Sequence, residues 1–150
     1  MPAFSGKYYY TVDPKGRIIV PAPFREVLSA NYSSKLYITN APSENCLHIY
    51  PLEEWSKLLE KVKHLPRTNE YVKFFSRRVI AAAVETEIDK QGRLLIPSAH
   101  REDAGISGEV VIVGLVDKIE LWDRRLWQEV TDLGKIDIKA YESALSDYGL

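Results

Sequence analysis

Two arginines, Arg17 and Arg93, each follow directly on a glycine in the same local setting, Asp-x-x-Gly-Arg. A guanidinium in that position stands just after a tight turn and at the start of a strand, so it reaches outward with little entropy to lose. Planar, permanently charged and forked, it suits phosphate oxygens, or a guanine edge in the major groove. Lys15 adds a point charge inside the first turn, where the second carries Gln91. Asp13 and Asp89 open the turns, and each carboxylate is equally able to pair with its own arginine and hold the turn together. Lys7, Arg25, Arg67, Lys73, Arg77 and Arg78 are further basic candidates. Arg25 and Arg101 sit within helical segments beside Glu26 and Glu102, where a structural role is favoured.

Other chemistries find less support. His48, His64 and His100 are scattered along the chain, and none sits with Cys46 or with carboxylates at metal-ligand spacing. No metal and no cofactor are therefore expected. Nucleophile-elbow, phosphate-loop and dinucleotide-binding patterns do not occur. His100 takes the place that Phe24 holds in the other motif, which reads as a partly buried helix residue. Asp13 and Asp89 could form a symmetric acid pair on a double-psi-type barrel, given a buried pocket converging on both. Each is already accounted for by its glycine turn, so no catalytic residue is expected.

The elements that position these residues come as an internal repeat. Asp13–Glu26 (DPKGRIIVPAPFRE) aligns with Asp89–Glu102 (DKQGRLLIPSAHRE), with six of fourteen positions identical and three more aliphatic in both. A second block, Cys46-Leu-His-Ile-Tyr50, aligns with Lys118-Ile-Glu-Leu-Trp122, and Trp55 with Trp127. In each copy a strand (Tyr8 to Val12, Val84 to Ile88) runs into the turn. A short strand follows, Arg17–Val20 or Arg93–Ile96, whose unbroken aliphatic run predicts burial on both faces. Pro21 and Pro97 close it and open a short helix, with Phe24, Val27 and Leu28 on one face and Gly105 ending the second copy's helix. Further strands are expected at Lys35–Thr39 with Leu47–Tyr50, and at Val110–Val113 with Lys118–Trp122. Pro51–Leu65 is an amphipathic helix, with Leu52, Trp55, Leu58, Leu59, Val62 and Leu65 on one side. Asn69–Arg78, Trp127–Leu133 and Ala140–Leu145 supply shorter helices.

Neither copy has residues enough for a core of its own, so one pseudo-symmetric β-rich unit is expected in place of two independent beads. Composition agrees: 150 residues, 45% apolar and 27% charged, suit one soluble globular unit without disorder. No apolar run approaches a membrane span and no secretory layout opens the chain, so a cytoplasmic location is expected. The net charge of −1 divides into +5 over residues 1–80 and −6 over 81–150. DNA affinity depends on a local basic face, so the total excludes nothing.

At these motifs the chain resembles the bacterial MraZ family, in which two SpoVT-AbrB-type domains lie in tandem. The likeness rests on Phe4-Ser-Gly-Lys-Tyr, on Thr11 to Arg25, on Arg77 to Ala83 and on Asp89 to Gly105, and covers roughly residues 3–145. It implies a β-rich α+β fold: an AbrB-like swapped-hairpin β-barrel formed by two intrachain repeats, with flanking helices. The expected division is residues 5–52 for the first repeat, 53–80 for a helical connection, 81–124 for the second repeat and 125–150 for a C-terminal helical segment. The resemblance implies a sequence-specific transcription regulator, nucleoid-associated, binding double-stranded DNA at short direct repeats upstream of the division and cell-wall gene cluster. It also implies assembly into a closed ring, octameric or dodecameric in the family. The family's Asp-x-x-x-Arg signature carries over onto Asp13 with Arg17 and Asp89 with Arg93; with the basic candidates Lys15 and Lys7 these form the expected DNA-contacting set, the second copy being weakened by Gln91 and its acidic surroundings. The other reading is an antitoxin-like protein-interaction module of the same fold.

Overall fold

A computed structural model describes residues 3–150. In chain order the elements are β1 (Phe4–Thr11), β2 (Arg17–Ile19), α1 (Ala22–Asn31), β3 (Lys35–Asn40), β4 (Leu47–Pro51), α2 (Leu52–Lys63) and α3 (Glu70–Phe75), which runs on into a π-turn at Ser76–Ile80. The second half holds β5 (Val84–Glu87), β6 (Arg93–Leu95), α4 (Ser98–Asp103), β7 (Glu109–Val116), β8 (Lys118–Asp123) and α5 (Arg124–Val130). A single 3-10 turn at Leu133–Lys135 and α6 (Ile138–Ser146) close the chain.

The fold is mixed α+β. Six strands form one antiparallel sheet in the order β1-β7-β8-β4-β3-β5, and β2 pairs with β6 in a separate two-stranded ribbon. Since β1 to β4 correspond to β5 to β8, the order is a palindrome about the central β4–β8 pair. Each copy's first strand pairs with the third strand of the other: Phe4 to Thr11 lie against Val116 to Glu109, and Lys35 to Ile38 against Glu87 to Val84. The two copies complete one sheet between them.

A shared core explains why. Ile18, Val20, Phe24, Leu36, Ile38, Leu47 and Ile49 from the first copy pack with Leu94, Ile96, Val110, Ile112, Ile119 and Leu121 from the second. Burying a side chain of this kind contributes roughly 1.5–3 kcal/mol. Half of the set would not close over itself. The sheet's other face carries a smaller cluster, Ala41, Cys46, Val111, Val113 and Trp122, with Leu126 and Trp127 of α5 against it.

The ribbon corrects one expectation. The aliphatic runs after Gly16 and Gly92 are not buried on both faces. They alternate, with Ile18 and Leu94 in the core and Ile19 and Leu95 about half exposed. An antiparallel ribbon outside the main sheet has one face on the core and one free. The helical segments also differ in extent. Asn69–Arg78 is not one α-helix: α3 ends at Phe75 and widens to the π-turn, where the Ala81 amide bonds back to Ser76 O. Of the predicted apolar side of α2, only Trp55 is buried, while Leu65 lies beyond the helix and is exposed.

Candidate nucleic-acid interface

Both Asp-x-x-Gly-Arg segments fold into the same turn. Asp13 N–H donates to Arg17 O and Gly16 N–H donates to Asp13 O, while Asp89, Gly92 and Arg93 repeat the pattern. The Asp13 carboxylate accepts from the amides of Lys15 and Arg17 at 2.9 Å and from Arg17 Nε at 2.7 Å. In the second turn Asp89 accepts from the amides of Gln91 and Arg93 and from Arg93 Nε at 3.0 Å. These bonds hold both carboxyls below their usual range: the arginine amide contributes most, desolvation opposes it, and the guanidinium adds to it. The pairing of Asp with Arg is therefore real, and it uses only Nε of each fork.

What remains of the two forks differs. Arg93 Nη2 donates to Gln91 Oε1 at 3.0 Å, so part of its outward edge is taken up within the turn. The first turn has Lys15 where the second has that glutamine, and the terminal nitrogens of Arg17 make no side-chain hydrogen bond among the described residues. The first turn thus presents a fork held through Nε alone, in a turn that also carries a lysine; the second presents a fork that is partly tied down.

The ribbon sets the two forks diagonally. Arg17 pairs with Leu95 and Ile19 with Arg93, so all four alternate on the outward face. Because the strands run antiparallel, Asp13 and Asp89 lie at opposite ends of the ribbon and do not converge as an acid pair would.

Beneath each turn lies an arginine from the other copy. Gly16 has φ +86° and Gly92 φ +78°, a region L side chains rarely adopt. A Cβ on Gly16 would meet Arg101 Nη2 at 2.9 Å, and one on Gly92 would meet Arg25 Cζ at 3.2 Å. Each arginine is anchored by its own copy, Arg25 Nε on Val20 O and Arg101 Nε on Ile96 O. Val20 N–H donates to Gly92 O, and Ile96 N–H to Gly16 O. The structural role expected for Arg25 and Arg101 is this: each braces the opposite repeat's turn.

The remaining basic candidates are dispersed. Lys7 lies mid-strand in β1, six residues and about 20 Å of extended chain before Asp13, with its ammonium near the Tyr9 ring. Arg78 is structural, bonding Ala41 O and pairing with Asp103. Arg67, Lys73 and Arg77 border a groove beside α2 and α3. His64 is exposed beside Glu60, and His100 is buried, its Nε2 2.7 Å from Ala82 O.

One grouping was missed in the sequence. Cys46, His48 and Glu120 come together, buried, across the β4–β8 pair. His48 Nε2 is 3.1 Å from Glu120 Oε2, and Trp122 Nε1 donates to Glu120 Oε1 at 2.8 Å. Burial pushes Glu120 up, yet the bonds from His48 and Trp122 outweigh it and hold the carboxyl below its usual value. Burial drives the Cys46 thiol well above its usual range. The available signal was the second block of the repeat, which aligns His48 with Glu120. Equivalent strands that meet on a pseudo-two-fold axis bring equivalent residues face to face.

Two copies of one unit that exchange strands and brace each other's exposed arginine turns define an intertwined tandem-repeat β-sheet protein. A family model described as "MraZ protein, putative antitoxin-like" matches twice, over residues 3–78 and 79–144. The chain is 41% identical over 147 residues to the transcriptional regulator MraZ of Clostridium tetani, covering 98% of this chain and 99% of that protein. It is 40% identical over 147 residues to the protein of that name from Halothermothrix orenii, with 98% and 99% covered. For that of Caldanaerobacter subterraneus subsp. tengcongensis the identity is 37% over 145 residues, with 97% and 98% covered. The chain belongs to the MraZ family.

Proposed function

We propose that this chain is a DNA-binding transcription regulator that lays the β2–β6 ribbon into the major groove of double-stranded DNA. The observation that carries this is the ribbon's outward face: two guanidiniums, each oriented by an aspartate, on a two-stranded element separate from the main sheet. The major groove, about 12 Å wide, admits a two-stranded ribbon, and arginine is the commonest reader of guanine there. Relatives of closely similar length carry the name transcriptional regulator, a designation that is not an enzyme class.

Within this reading Arg17 makes the principal contact, Lys15 neutralises a neighbouring phosphate, and Asp13 positions Arg17. Arg93 and Asp89 form a weaker copy, limited by Gln91, and Lys7 contributes long-range attraction only. Residues 5–52 and 81–124 act as the two halves of a swapped-hairpin barrel, joined by 53–80 and followed by 125–150. The near-neutral chain gains affinity by assembling into a ring, so that many ribbons engage adjacent short direct repeats at once. A nucleoid-associated protein acting upstream of the division and cell-wall genes is the setting the family resemblance implies.

Arg17→Ala tests the reading. Loss of one such contact costs about 1–3 kcal/mol per site, multiplied over a ring, so retardation of a promoter duplex is expected to disappear while particle size is unchanged. Undiminished binding by that variant throughout a salt titration defeats the proposal. The antitoxin-like alternative, favoured by the wording of the family model, requires a stable complex with another protein and no specific retardation.

A further inference from the structure

We propose that Cys46, His48 and Glu120 form a binding site for a transition-metal ion of the zinc class, built across the junction of the two repeats. The three ligand atoms, a sulfur, an imidazole nitrogen and a carboxylate oxygen, all lie within 4.8 Å of one another. These are the donor types that Zn(II) takes. In a tetrahedral site with bonds of about 2.0–2.3 Å the ligand atoms stand roughly 3.3–3.5 Å apart, so small side-chain adjustments close the triangle around an ion.

The backbone explains the convergence. His48 lies directly opposite Glu120 in the β4–β8 register, and Cys46, two residues before His48, projects to the same face. Two ligands come from the first repeat and one from the second.

The surrounding groups already aim the ligands. Tyr50 Oη lies 3.3 Å from His48 Nδ1, and Trp122 Nε1 donates to Glu120 Oε1. Those contacts occupy the outer nitrogen and the outer oxygen. Nε2 and Oε2 are left facing each other at 3.1 Å, with Cys46 as the third corner. An outer hydrogen bond on the second imidazole nitrogen is the usual companion of a metal-bound histidine. When Nδ1–H donates to the tyrosine oxygen, Nε2 presents a lone pair to a carboxylate oxygen. In the metal-free chain the other tautomer places the proton on Nε2, which donates to Glu120 Oε2; an ion would take that proton's place between the two atoms, with the ring proton then on Nδ1. Binding releases the Cys46 proton and leaves a thiolate on the ion. The fourth tetrahedral position goes to water or to an incoming ligand. An ion held there ties the repeats together at the centre of the sheet.

The test uses the full-length chain, stripped of metal with a chelator and kept reduced. Titration with Co(II) is expected to give a thiolate-to-cobalt charge-transfer band and tetrahedral visible bands that saturate at one ion per chain. Zn(II) should then abolish both bands, and Zn(II) alone should raise the melting temperature. Cys46→Ser should remove the charge-transfer band. Tyr50→Phe keeps every ligand and should weaken binding about 10–100-fold, which serves if the serine variant does not fold. The proposal is overturned by a folded parent chain that shows no charge-transfer band and no Zn(II)-dependent change in melting. It is equally overturned if Tyr50→Phe and Cys46→Ser bind Co(II) as tightly and with the same spectrum as the parent, because the ion is then held elsewhere.

Discussion

Gly16 and Gly92 are where two repeats constrain a single residue. Each sits at positive φ under a guanidinium of the other copy. Gly16→Ala is expected to destabilise the fold by about 1–3 kcal/mol, measured by urea unfolding. Arg101→Ala in that background should recover the part due to the 2.9 Å collision and leave the part due to φ. Additive costs for the two changes would show that the stacking is not a real constraint. The carboxyls of the same turns set an acid limb. Asp13 and Asp89 titrate lower in the folded chain than unfolded, where an aspartate titrates near about 3.9. Their stabilisation is thus complete above about pH 4 and is lost as the pH falls through the folded values. Asp13→Asn with Asp89→Asn should flatten the loss of stability below about pH 4, and an acid limb as steep as the parent's would refute this. These turns were legible in the sequence because Asp-x-x-Gly acts locally, within four residues. The arginine beneath each glycine was not, because it comes from the opposite copy. Nor was the meeting of His48 with Glu120, which lie 72 residues apart.

At the scale of elements, the ribbon is where a local reading and tertiary placement diverge. Arg17–Val20 and Arg93–Ile96 look like strands covered on both sides, since nothing polar interrupts their aliphatic residues. Pairing as a separate ribbon leaves one face open, and Ile19 and Leu95 fall on it beside the two arginines. Exposed aliphatic residues there suit contact with thymine methyl groups, a role that the proposed docking gives them. Neighbouring residues should therefore behave in opposite ways. Ile18→Ala, in the core, is expected to cost about 2–5 kcal/mol. Ile19→Ala should stay within roughly 0.5 kcal/mol, as an exposed position does, while weakening retardation of the promoter duplex. Equal losses of stability from the two substitutions would mean that the outward face is covered. The helices were legible in kind more than in extent. The 3.6-residue apolar spacing of α2 is plain, whereas the π-turn after α3 follows from tertiary anchors: the Thr39 hydroxyl donates to Val79 O and Asn40 Nδ2 to Arg78 O. Those partners are about forty residues away, so no local pattern announces the turn.

For the whole molecule, the interleaving followed from size alone, because neither repeat could close a core, and the palindromic sheet order is its realisation. Two partly apolar surfaces of the chain differ in the charges around them. On one side Lys63, Arg67, Lys73 and Arg77 surround a groove of about 470 Å³ floored by Leu59, Val62 and Ile80. At a second surface, Val130, Leu133, Ile136 and Tyr141 are exposed beside Glu129, Asp132 and Lys135, and α6 buries none of its residues. The ring proposed for DNA binding needs a contact between copies, and a head-to-tail pairing of the basic groove with the Glu129–Asp132 surface is the contact that this proposal would use. No helix among the described residues is long and apolar enough to cross a bilayer. Lys73→Glu with Arg77→Glu should then reduce the parent assembly to smaller particles in sedimentation velocity, with the circular dichroism of the fold retained. Adding Glu129→Lys and Asp132→Lys to the same chain should restore the larger particle, because the two charged surfaces are exchanged together. A Lys73→Glu, Arg77→Glu chain that sediments like the parent at both low and high salt would rule this contact out. The ring proposed for DNA binding would then need a different interface.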